Sequence, residues 1–146
     1  MTTAFLAKGV ISRLDKTTSP GVSELDANTL KVDVKALRGL LAFLKNTPGL
    51  AFDYLIDMTA VDYWDYFEVI YQLASLEHNH RITVKTAVAG RESPEVPSIV
   101  DIYKGADYQE REIHDLLGIK FNGHPNLIPL LLWEGFEGYP LRRDYL

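Results

Sequence analysis

Residues 66–88, YFEVIYQLASLEHNHRITVKTAV, decide the fold. Phe67, Val69, Tyr71 and Leu73 fall on one side of an extended chain, and so do Ile82, Val84, Thr86 and Val88, with Arg81, Thr83 and Lys85 on the other. Successive side chains of a strand point to opposite faces, so this period of two predicts two strands. The polar Glu77–His80 step between them predicts a tight turn. The pair reads as an antiparallel hairpin with one buried face, the centre of an α+β domain.

Working outward, Thr29–Val32 reads as a short strand, and Asp33 stands where a helix cap belongs. Leu37, Leu40, Leu41 and Leu44 then recur at the spacing of one helical face, and Pro48–Gly49 ends the helix. The apolar run Phe52–Met58 predicts a buried strand. Gly90–Pro97 reads as a polar loop, Ala106–Leu117 as a second helix closed by Gly118, and everything from Lys120 as an extended Gly/Pro-rich tail with Trp133, Phe136 and Tyr139. Residues 1–26, with Thr17, Thr18, Ser19, Pro20 and Gly21 in a row, read as an irregular, variable N-terminal segment, leaving 27–146 as a single domain.

Composition narrows the function. The 146 residues are 47% hydrophobic and 24% charged, the balance of a globular chain. With no cysteine there is no disulfide framework, thiolate zinc site, cysteine-held iron–sulfur cluster or cysteine nucleophile. A net charge of −5 argues against a general nucleic-acid binder. No apolar stretch is long enough to span a membrane, and the start MTTAFLAKGVISR lacks the basic-then-apolar layout of a signal peptide, so a soluble intracellular domain is the expectation. Rossmann, P-loop and nucleophile-elbow motifs are absent.

On the second helix, Ala106, Ile113 and Leu117 share a face, and Asp107, Arg111 and Asp115 line the opposite side as a solvated stripe. Glu110 falls inside the apolar sector, where a lone carboxylate costs several kcal/mol. The expectation is an anchor paired with Arg142 or Arg143 of the tail; the rival reading is an acid/base or metal ligand with His114 and His124. No H-E-x-x-H motif supports the rival, and His124, between Gly123 and Pro125, reads more simply as a turn residue.

The ordered segment Glu110-Arg111-Glu112-x-x-Asp115-Leu116-Leu117-Gly118-Ile119-x-Phe121-x-Gly123-His124-Pro125 resembles the signature of the 30-kDa subunit of respiratory complex I. Asp57-Met58-Thr59-Ala60-Val61-Asp62-Tyr63, Phe67-Glu68-Val69, Pro97-Ser98 and the ending Gly138-Tyr139-Pro140-Leu141-Arg142-Arg143-Asp144-Tyr145 are similar to further motifs of that family, in the same order. Gln109 and His114 stand where many members carry an aromatic. The resemblance implies an α+β subunit, itself free of cofactor, in the peripheral arm of a proton-translocating NADH:quinone oxidoreductase on the cytoplasmic face of the inner membrane. Flavin and iron–sulfur clusters would belong to partner subunits, and a 49-kDa-like quinone-site subunit would be the neighbour it braces. Glu110, Arg111, Glu112, Asp115, Gly118, His124, Pro125, Pro140, Leu141, Arg142, Arg143 and Asp144 would then form the interface and its structural frame. Equivalent subunits occur in membrane-bound hydrogenases, formate hydrogenlyases and complexes fed by other donors, and this chain does not name the donor. A free-standing hydrolase built on Glu110, His114 and His124, or an interaction domain unrelated to respiration, would be the rivals from other classes.

Overall fold

A computed structural model describes residues 2–14, 20–133 and 135–145. In chain order the elements are β1 (Thr3–Ala4), α1 (Ala7–Ile11), β2 (Val22–Asp26), β3 (Thr29–Val32), α2 (Val34–Asn46), β4 (Tyr54–Asp62), β5 (Tyr66–Ser75), β6 (His80–Ala89), β7 (Glu95–Pro97), α3 (Ala106–Leu117) and β8 (Lys120–Asn122). The predicted hairpin is the middle of the main sheet, ordered β2-β3-β6-β5-β4, with β5 and β6 antiparallel from Tyr66↔Ala89 to Ser75↔His80. Alternation sets its two faces. Phe67, Val69, Tyr71, Leu73, Ile82, Val84 and Val88 are buried together, and helices cover that face alone. The other face carries Glu68, Gln72, Thr83 and Lys85 and is only partly covered.

Helix α2 places Leu37, Leu40, Leu41 and Leu44 in the core, as the spacing predicts. Asp33 sits at its N-cap position without a side-chain cap bond; its carboxylate lies beneath the turn at Gly21 instead. Helix α3 spans the predicted residues and ends at Gly118, whose φ of 74° is the left-handed conformation that a β-carbon disfavours.

Three expectations need correction. The run from Phe52 is not a buried strand: β4 begins at Tyr54, reaches Asp62, and is the outer strand of the sheet, burying Leu55, Met58 and Asp62 while Tyr54 and Ile56 stay exposed. A register shift between Leu55 and Asp57 adds a residue there, which breaks the alternation. The 90–97 loop contains β7, paired in parallel with β8 at the start of the expected tail. The N-terminal residues are not simply irregular, since β1, α1 and β2 lie within them and Ala7 and Val10 join the core; Thr17, Thr18 and Ser19 lie outside the described residues. The antiparallel β4–β5–β6 run adjoins a parallel β3–β6 pairing, which periodicity cannot specify.

Leu41 is wholly buried between α2 and the sheet. Leu41→Ala is expected to cost about 2–5 kcal/mol, read as a lowered urea midpoint.

Candidate functional site

The residues singled out by sequence gather around α3 and the chain after β8, which returns across the helix and the end of β4 as a strap. Most of its polar contacts run from a side chain to backbone or to a second charge. Asp115 Oδ2 accepts from the N–H groups of Leu130 and Leu131 at 2.7 and 2.8 Å. Arg111 donates to the carbonyls of Ile128 and Pro129, both at 3.1 Å. His124 Nε2 lies 3.0 Å from Asp107 Oδ1, and its Nδ1 accepts from Asn126 N–H at 2.9 Å, so this ring closes the turn after β8. The Asp107–Arg111–Asp115 row is therefore not a solvated stripe but the surface onto which the strap is bonded, and Asp115 is buried.

At the strap's end, Leu141 N–H donates to the Leu116 carbonyl at 3.0 Å. Arg142 donates to the carbonyls of Leu117 and Arg91 at 2.6 and 2.7 Å, and its guanidinium lies between the rings of Phe67 and Tyr139. Close approach here requires Gly118: a β-carbon would stand 2.6 Å from the Tyr139 ring and 2.8 Å from Arg142 Nη2. Pro140 introduces the turn carrying Leu141, and Pro125 borders the exposed loop after His124.

The seat for the last residues is Asp62, at the end of β4. Its two oxygens take Arg91 Nη1 at 2.6 Å and Nη2 at 2.8 Å, while Trp64 N–H and Arg143 N–H fill the remaining acceptor positions at 2.8 and 2.9 Å. Arg143 Nε also donates to the Asp62 carbonyl at 2.7 Å, and Asp144 joins Arg91 at 3.2 Å. Bonding to Arg91 outweighs the cost of burial and holds the Asp62 carboxyl well below the usual carboxylate range.

Glu110 does not meet Arg142 or Arg143. It is fully buried, accepts from Ser98 Oγ at 2.6 Å and from Ile99 N–H at 2.9 Å, and so ties α3 to the turn after β7. The same turn is clamped from α2 by Arg38, which grips Asp101 with two bonds of 2.8 and 2.6 Å and donates to the Ser98 carbonyl. An apolar sector shows that a carboxylate needs a partner without saying which; here a hydroxyl and a backbone amide within one turn were nearer than any arginine. Burial pushes the Glu110 carboxyl above its ordinary value, against the opposing pull of those two bonds. His114 turns instead to the Ile119 carbonyl at 3.0 Å, so Glu110, His114 and His124 address three different partners. Among the described residues no three His, Asp or Glu side chains gather as metal ligands. Glu112 is exposed and meets no cation among those residues.

Sequence reading names Asp62 and Ser98 only within motifs, with no role assigned, and omits Arg91 and Arg38. A signal for Asp62 was present: an aspartate ending an apolar strand before Tyr63-Trp64-Asp65 fits the Asx turn that it forms with Trp64. Arg91 and Arg38 had none, because both act across long sequence separations.

The strap and the helix beneath it leave large apolar side chains outward: on the strap Leu131 is 59% exposed, Trp133 70% and Leu141 61%, and on α3 Tyr108 is 63% exposed. Single exposed apolar residues are ordinary; three of these four lie on a segment that the chain's own bonds hold in place.

Residues 30–146 match the family described as the respiratory-chain NADH dehydrogenase 30 kDa subunit. An NADH-quinone oxidoreductase subunit from a Ruegeria species is 46% identical over 121 residues, which cover 80% of this chain and 59% of that one. The mitochondrial NADH dehydrogenase [ubiquinone] iron-sulfur protein 3 of Candida albicans is 43% identical over 123 residues, covering 82% and 43%. The chain thus spans about half the length of these relatives. A chain of the membrane-bound sulfane sulfur reductase, an archaeal respiratory membrane complex, shares the fold with a TM-score of 0.76 at 24% identity, over 94% of this chain and 82% of that one.

Substitutions at three positions test the frame. Gly118→Ala is expected to cost about 1–2 kcal/mol for the left-handed cap and to speed amide exchange over residues 139–143 while α3 stays protected. Asp62→Asn is expected to cost about 1.5–3 kcal/mol near neutral pH. A depressed carboxyl stabilises above its unfolded pKa and loses that contribution as pH falls toward its folded value, so the deficit should shrink in thermal melts below about pH 4. Glu110 has the opposite sign. Its raised carboxyl contributes most below the ordinary pKa and loses that contribution as pH rises through the folded value. Glu110→Gln should therefore gain on the native chain as pH rises above the ordinary carboxylate value of about 4. Glu110→Ala, which strands Ile99 N–H, is expected to destabilise the domain by about 1–3 kcal/mol.

Proposed function

Because the chain belongs to the respiratory-chain NADH dehydrogenase 30 kDa subunit family, we propose that it is a non-catalytic, cofactor-free subunit of the peripheral arm of a proton-translocating NADH:quinone oxidoreductase. In this reading it docks on the 49-kDa-like quinone-site subunit, braces it and neighbouring subunits, and sits on the cytoplasmic face of the membrane without entering it. No helix among the described residues is long and apolar enough to cross a membrane.

The observation that carries the docking role is the strap. A domain of this size spends Asp62, Asp115, Arg111 and Arg142 on ordering a segment whose apolar side chains then face outward. Exposed Trp and Leu on a fixed support suit the buried centre of an interface, where a few such side chains carry most of the binding energy. Ordering them beforehand lowers the entropy lost on association. The polar groups around them are directed to each other and to backbone, which fits a bracing role better than acid–base chemistry. The name of the Candida albicans relative refers to iron and sulfur; this chain has no cysteine with which to hold a thiolate-bound cluster. Electron-carrying groups are accordingly assigned to partner subunits.

The test is affinity purification of the tagged full chain from gently solubilised membranes of its own cells, with partners identified by mass. A 49-kDa-type quinone-site subunit together with an NADH-binding flavoprotein is the expected recovery. Trp133→Glu combined with Leu131→Asp is expected to reduce that recovery at least tenfold, about 1.4 kcal/mol, without shifting the melting temperature. Recovery with hydrogenase or formate-oxidising subunits would move the chain to a related machine, and recovery alone would remove the docking role.

A further inference from the structure

Strand β4 ends the main sheet, so the backbone groups on its far side have no strand to meet. Which groups these are follows from the turn. Tyr63 N–H bonds inward to the Tyr66 carbonyl, so in an antiparallel ladder the alternate residues Asp62, Ala60 and Met58 turn their backbone outward. The chain closes two of the three. Gln109 Oε1, from α3, accepts from Met58 N–H, and Arg143 Nε donates to the Asp62 carbonyl at 2.7 Å. Ala60, between them, has no such partner among the described residues.

A groove of about 190 Å³ opens in front of Ala60, between β4 and α3. Met58, Ile113, Leu117 and Leu141 give it an apolar lining, and Asp57 and Glu112 stand along it. Both acids are exposed, and neither meets a cation among the described residues. Two unneutralised carboxylates beside an apolar trough with a free backbone donor and acceptor are complementary to an extended peptide with an aliphatic stem and a cationic end. Sheet-edge recognition has this division of labour, with backbone bonds supplying affinity and side-chain sites supplying specificity. The acids disfavour an anionic lipid surface or a nucleic acid as the occupant.

We propose that the groove between β4 and α3 receives an extended, lysine- or arginine-bearing segment of a partner subunit, one peptide unit bonding to Ala60 while its cation lies between Asp57 and Glu112. This rests on the reading of the chain as a docked subunit and adds a second contact of defined chemistry, which shares Leu141 with the strap's exposed apolar side chains. Gln109 and Arg143 cap the open stretch at either end, so the segment engages over a short length and does not extend the sheet as a full strand.

The experiment uses the assembled complex from the native membrane, with photo-reactive benzoylphenylalanine in place of exposed Thr59 in one preparation and of Trp133 in another. The expected result is that the position-59 probe links to a partner segment with a lysine or arginine within a few residues of the link. Asp57→Lys combined with Glu112→Lys should cut that yield at least tenfold and leave the position-133 link unchanged. Asp57→Asn with Glu112→Gln should give an intermediate yield. Links only within the chain, to a second copy of it, or to a segment without a basic residue would overturn the proposal, and so would a yield indifferent to charge reversal. A position-133 link without any position-59 link overturns this inference alone; loss of both overturns the docking reading as well.

Discussion

The Asp62 carboxylate is the constraint on which the strap depends. It is almost fully buried, and it receives four hydrogen bonds from three separate stretches of chain: Trp64 in the β4–β5 turn, Arg91 after β6, and Arg143 near the end. A buried carboxylate with fewer donors would be a liability, because removing a charge from water costs several kcal/mol before any attraction repays it. Here the bidentate guanidinium and two amides meet that cost, and the geometry fixes three loops relative to one another. Arg91 is held in turn over the faces of Trp64 and Phe67, and its remaining contact draws in Asp144.

The same logic runs through the other charged groups. Glu110 and Asp115 on α3, and His124 in the turn after β8, carry the side chains an enzyme uses. Their atoms are instead occupied in joining α3 to the turn at Ser98, to the strap at Leu130–Leu131, and to the turn at Asn126. Apart from the Ser98 hydroxyl, the donors are backbone N–H groups of irregular segments that have no ladder of their own, which is the general requirement on buried irregular chain. The long stretch after β8 can be ordered without regular structure because side chains of α3 supply its partners.

What the sequence disclosed follows the range of the interactions concerned. The hairpin and both long helices were legible because their signal is local: period two in Phe67–Val88, leucines three and four apart in α2, and a glycine after Leu117. β4 was misread because an apolar run does not distinguish a central strand from an edge strand, and a single register shift after Leu55 erases the alternation that would. The three-residue β7 and β8 were invisible, since neither has a period and each exists only through the other. Glu110 was correctly marked as an anomaly, but its partner was misassigned. The need for compensation is a property of one position, whereas Ser98 lies twelve residues away and is brought close only by the turn that Arg38 clamps. The charged residues of the closing motif stand out as a group; a local turn pattern marks Asp62 but not its role as their seat, and Arg91 has no local sign, since these contacts join residues 81 and 51 positions apart.

These differences bear on how the surface is divided. Charges placed inside the frame are saturated, so they have little left to offer a partner; Asp62, Asp115 and Glu110 are of this kind. Charges that remain open, Asp57 and Glu112, flank the part of the sheet edge left uncovered, while the large apolar side chains project from the strap. An interface assembled this way has its polar scaffold completed within the chain, so a partner need not arrive to satisfy buried amides, and the loss of freedom on docking is confined to outward side chains. In the proposed docking, specificity would rest on the groups left unsatisfied, and affinity on the apolar side chains of the strap that the Asp62, Asp115 and Arg111 contacts hold in place.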